Sequence, residues 1–206
     1  EHSRSRNGRA CWDEPDKLMT LPPLAIQVLL ILVSVTAAMI DFRTRKVPNW
    51  LSLSGAILSV LLNSFLFALD GIFSVDGLLY ALSGLGLAFG IYFVLYLLRG
   101  MGAGDVKLMA AIGAAAGWKN WIGILVMTCA AGLIAGIVLV FAKRRVKETL
   151  HNMETIVTSL PRGQAPYKQN PDLDIRSEKA LRMPHAVLIA VGTISFLIAA
   201  TVWAPH

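Results

Sequence analysis

The sequence predicts an all-α membrane protein of six transmembrane helices with both termini outside, and three observations carry that prediction. The chain of 206 residues is 55% hydrophobic and only 16% charged, with a mean hydropathy of +0.61. Its charges gather in short blocks separated by long runs that contain none, which is the pattern of a polytopic bundle rather than of a water-soluble core. Lys and Arg are also shared unevenly between those blocks, and this asymmetry sets orientation.

The spans are placed at 22–40, 49–69, 77–98, 105–121, 121–142 and 184–204. The first ends directly at Asp41, with no small-residue cleavage motif facing outward, so it reads as a retained span. Pro48 and Asn49 form the turn and N-cap that start the second. The fourth is short: Val106 to Gly117 makes about 18 Å of helix, and extension to Trp121 about 24 Å, against a hydrocarbon layer of about 30 Å. Either its end with Asp105 lies in a water-accessible hollow below the membrane surface, or the bilayer thins locally.

Arg43, Arg45 and Lys46 lie in one connection, Arg99 and Lys107 in another, and the remaining large basic block in 143–183. Arg4, Arg6, Arg9, Lys17 and Lys119 lie on the opposite side. Short cytoplasmic loops accumulate Lys and Arg, so Asp41 and Asp105 are expected to face the cytoplasm. Residues 1–21 read as a polar tail to which no function is assigned, and 22–204 as one membrane-embedded domain. Within 143–183, Lys143 to Ser159 either extends the fifth helix or joins an irregular loop marked by Pro161, Gly163, Pro166 and Pro171. That basic segment is a solvated loop or a docking surface for substrate or lipid.

The net charge of +6 requires no nucleic-acid partner, because a basic cytoplasmic face attracts the anionic headgroups of membrane lipids. Cys11 and Cys129 are far apart in the predicted topology, and His2, His151, His185 and His206 are scattered. No disulfide framework, metal site or cofactor is expected. Trp50, Trp118, Trp121 and Trp203 fall at span ends, where they are expected to anchor the bundle at the interface. Gly86 and Gly90, Gly113 and Gly117, and Gly132 and Gly136 each place small residues one turn apart, a spacing that arises by chance or permits close helix packing.

The chemistry-bearing residues are Asp41 and Asp105. A carboxylate near the bilayer is costly, so acids at span boundaries usually serve a function. Asp105 follows a glycine turn and precedes an apolar helix, so it also reads as an ordinary N-cap. Asp41 is harder to explain structurally, because it closes a helix whose C-terminal carbonyls are already negative, with Arg43 and Arg45 as the available compensation. Together the two acids fit an aspartic dyad. One ionised carboxylate takes a proton from water while the other, protonated, polarises the scissile carbonyl. The proton belongs to the pair, and sequence assigns neither acid a fixed role. Gly102 and Gly104 would let backbone approach an extended substrate or the other helix.

Gly102-Ala103-Gly104-Asp105-Val106-Lys107 resembles the GxGD signature of intramembrane aspartyl proteases, in the GxGDxK form of type IV prepilin peptidases. The segment from Asp41 through Arg43 to Val47-Pro48-Asn49 is similar to the first-aspartate segment of the same family. Arg182-Met183-Pro184-His185-Ala186 resembles the entry to the last span of the short tight-adherence (Flp) type members. The resemblance implies a membrane aspartic endopeptidase of the inner membrane with Asp41 and Asp105 as catalytic residues. Its partners would be prepilin or pseudopilin leader peptides, cleaved after a Gly at the cytoplasmic face during pilus biogenesis or protein secretion. Arg43, Lys107, Pro48, Asn49, Gly102 and Gly104 would bind substrate or support the dyad, although Arg43 and Lys107 equally read as topology-setting charges. The larger bifunctional members pair the peptidase with a cysteine-containing cytoplasmic domain and N-methyl transfer, and methyl transfer is not expected here. Archaeal preflagellin peptidases carry similar aspartate motifs. The alternative from another class is a proton- or ion-coupled transporter using the same two acids.

Overall fold

A computed structural model of the chain describes residues 21–44, 47–67, 74–99, 101–142 and 185–203. The basic loop 143–183, Arg45, and all of the predicted polar tail except Leu21 lie outside the described residues. The described residues form five α-helices: α1 (Leu24–Thr44), α2 (Asn49–Leu66), α3 (Val75–Leu97), α4 (Ala103–Ala142) and α5 (His185–Trp203). All five are long and apolar enough to cross a membrane. The prediction of six spans is therefore corrected to five such helices, because the fourth and fifth predicted spans are one element, α4, of 40 residues. The stretch 118–122 carries no proline or turn sequence that would open a loop, so helix resumes immediately after Gly117.

Gly117 nevertheless breaks the path of α4. Its φ of 71° and ψ of 167° are non-helical, a combination open essentially to glycine alone. Asp105 and Cys129, on opposite sides of the break, both lie within electrostatic reach of the Tyr92 hydroxyl. A straight helix would hold them about 36 Å apart. The two arms of α4, 103–116 and 118–142, thus fold back towards each other at Gly117.

The break frees carbonyls at the end of the first arm, and inside an apolar bundle each needs a donor. Asn63 on α2 supplies its side-chain Nδ2 to the carbonyls of Ala114 at 2.9 Å and Ala115 at 3.2 Å. Tyr80 on α3 donates its hydroxyl to the Ala116 carbonyl at 2.7 Å. Ser59 reaches the Ala111 carbonyl at 3.4 Å. Asn63 and Tyr80 thus satisfy carbonyls that the break frees, and Ser59 adds a contact one turn earlier on the same arm.

The first arm is the core of the molecule. Val106, Leu108 through Gly117 and Asp105 are all buried, because α1, α2, α3 and α5 all pack against α4. A helix enclosed over most of its surface meets little lipid, so its length need not match the bilayer; at 103–116 it is about 21 Å long. Close packing rests on small residues. A Cβ on Gly84 or on Gly113 would collide with the backbone of the other, so α3 and α4 touch backbone to backbone there. By contrast, Gly86, Gly90 and Gly136 face open space, and of the three predicted glycine pairs only Gly113 and Gly117 is used in full for packing.

The tryptophans divide. Trp50 and Trp118 are 64% and 43% exposed. Trp121 is fully buried, with 0% exposure, and meets Tyr92 edge-on at 6.3 Å between ring centroids; the anchor expected there is a core residue. Trp203 closes α5.

Candidate active site

Asp41 does not follow its helix as predicted but lies inside it, since α1 runs to Thr44. The extra turn aims the carboxylate inward, and Asp41 is 6% exposed. Asp105 likewise is not an N-cap: α4 begins at Ala103, so Asp105 stands in the first helical turn. Its carboxylate faces the Gly102 backbone amide, and a Cβ on Gly102 would stand 3.4 Å from Asp105 Oδ2. A first-turn acid reaching back to the residue before the helix satisfies a free N–H and complements the positive end of the helix dipole. Asp105 is 8% exposed.

The end of α1 and the start of α4 bring the two acids to one end of the bundle, where their charges act on each other. A third element joins them. The Ala186 backbone N–H, at the start of α5, donates to Asp41 Oδ2 at 3.2 Å, and half-buried His185 beside it acts electrostatically on Asp105. This answers the misplacement of Asp41 at a helix C-terminus. The free N–H groups and positive dipole of α5 supply the compensation, whereas Arg43 is exposed in the last turn of α1.

The remaining predicted residues are sorted by the same geometry. Gly104 lies against the segment entering α2: a Cβ there would come within 3.1 Å of Val47 Cβ and 3.4 Å of its carbonyl. The connection from the Asp41 helix is thereby held close to the start of α4. Pro48 takes the cap position of α2 with an extended backbone, and Asn49 is the first helical residue rather than the cap. The Asn49 side chain instead accepts a hydrogen bond from Lys107 Nζ at 2.9 Å. Lys107 follows Asp105 by two residues, about 200° around the helix, so it faces α2 and not the carboxylates. Sequence reasoning missed His185 and Ala186 as neighbours of the acids. The available signal was the Pro184-His185 pair at the predicted start of a span, where proline commonly opens a helix. Among the described residues, no group of His, Cys, Asp and Glu is placed to hold a metal ion.

Five apolar helices carrying a buried pair of interacting carboxylates at one end define a helical membrane protein with a candidate acid/base centre. Comparison with known proteins gives that class a family. The sequence profile of the type IV leader peptidase family matches residues 28–137, more than half of the chain and a range that includes both acids, and the chain belongs to that family. It is also similar to the prepilin leader peptidase/N-methyltransferase of Escherichia coli (strain K12), with 33% identity over 119 residues, 56% of this chain and 52% of that protein. The chain thus spans about half the length of this curated relative. No solved structure matches it.

Proposed function

We propose that the protein is a membrane aspartic endopeptidase that removes the short basic leader from type IV prepilins or pseudopilins. Cleavage would follow a Gly at the cytoplasmic face of the inner membrane. The observation that carries this reading is the burial of Asp41 and Asp105 together at one end of the bundle, within interaction distance of each other. Membership of the type IV leader peptidase family and similarity to a prepilin leader peptidase support it.

In this mechanism the pair holds one proton. The ionised carboxylate accepts a proton from water as its oxygen adds to the scissile carbonyl, and the protonated carboxylic acid donates to the carbonyl oxygen. The tetrahedral intermediate then collapses, the C–N bond breaks, and a proton passes to the leaving amine. Two like charges held close suppress double ionisation, which keeps the pair in its singly protonated state. The Gly102 and Ala186 amides stabilise negative charge on Asp105 and Asp41 in turn, and the backbone at Gly102 leaves room beside the pair for an extended peptide, while Gly104 packs against Val47.

The reading is tested by reconstituting the purified protein with a full-length prepilin and determining the product masses. A single cut after the leader's terminal Gly is expected. Absence of cleavage by a folded, reconstituted protein, or cuts scattered through the apolar segment, would contradict it.

A further inference from the structure

A groove of about 290 Å³ opens between α2, α3 and α4, lined among others by Asn49, Ser52, Leu53, Phe89, Lys107 and Ala110. It lies on the face of α4 turned away from the two acids, so the proposed peptidase mechanism leaves it unused. Its polar groups are confined to one end. Lys107 is exposed, and its partner among the described residues is the neutral Asn49 amide oxygen, which leaves a positive charge to be matched. Ser52, one turn further along α2, is 3% exposed, and its hydroxyl has no hydrogen-bond partner. Beyond it the walls are apolar.

The order of these groups has a direction. Asn49 and Lys107 lie beside exposed Trp50, the kind of residue that marks the headgroup level. Leu53, Phe89 and Ala110 line the groove beyond them, where a hydrocarbon chain would follow. The groove is open along one side and its walls beyond the polar end are apolar, so a single acyl chain can lie along it with one face on the protein. We propose that this groove binds one anionic phospholipid, with its phosphate on Lys107 and one acyl chain along the apolar wall.

The test uses the full chain, purified, delipidated and returned to nanodiscs of phosphatidylcholine doped with phosphatidylglycerol, with retained lipid measured by native mass spectrometry. Wild type is expected to retain phosphatidylglycerol over phosphatidylcholine by about fivefold, the contribution of one basic residue near a membrane surface. Lys107→Gln should reduce that preference to near unity. Leu53→Trp should lower retention of both lipids by filling the groove while Lys107 stays in place. Glycerophosphate and inorganic phosphate, which lack the acyl chain, should fail to displace the lipid. Equal retention of both lipids by wild type, an unchanged preference in Lys107→Gln, or full displacement by inorganic phosphate would each overturn the proposal. Displacement by a prepilin would show a peptide groove instead and would overturn it equally.

Discussion

Asn63 shows what a single polar side chain does in an apolar bundle. Its amide bonds the carbonyls of Ala114 and Ala115 just before Gly117 breaks the helix, and no water is at hand to take its place. Asn63→Leu should lower stability by about 1–3 kcal/mol, because it leaves buried acceptors unsatisfied; the thermal unfolding midpoint in detergent measures the loss. Gly117→Ala should cost a similar amount, about 1–3 kcal/mol, since φ of 71° with ψ of 167° is a region that a Cβ disfavours. At this scale the two acids were legible in the sequence, because a charge beside an apolar run is conspicuous. Asn63, Tyr80 and His185 were not. Each acts on a partner far away in sequence, and nothing local to an asparagine in an apolar helix says which carbonyl it will meet.

Among the elements, α4 departs furthest from expectation. The hydropathy reading counts two spans, 105–121 and 121–142, meeting at Trp121. The backbone places the break at Gly117 and lets helix resume at once, so a single element carries both arms. Length arithmetic flagged the first arm as too short, and enclosure by its neighbours explains why that is tolerable. The glycine pairs were visible as spacing only. Which of them packs depends on the face that the tertiary fold turns inward: Gly113 meets Gly84, while Gly86 and Gly90 meet nothing. Gly84→Val should therefore force α3 and α4 apart and destabilise by about 1–3 kcal/mol or more, as overpacking does. Gly90→Val should leave the unfolding midpoint nearly unchanged. Equal effects from the two substitutions would contradict this packing.

For the whole molecule, charge asymmetry predicts which end of the bundle meets the cytoplasm. Arg43 and Trp118 are exposed at opposite ends of the bundle. In a chain with Cys11 and Cys129 replaced by Ser, Arg43→Cys should react with an impermeant maleimide only from the cytoplasmic side, and Trp118→Cys only from the outside. The reverse pattern would invert the bundle and remove the acids from the side on which a prepilin leader projects.

The central claim is that Asp41 and Asp105 act as one catalytic pair, and the most direct measurement is leader removal from a co-expressed prepilin by Asp41→Asn and Asp105→Asn. Each substitution keeps size and leaves a hydrogen-bonding group, so each variant should insert and fold. Each should nevertheless lose about 10²-fold or more of cleavage, because acid/base catalysis is removed. Processing near the wild-type rate by either variant would contradict the account.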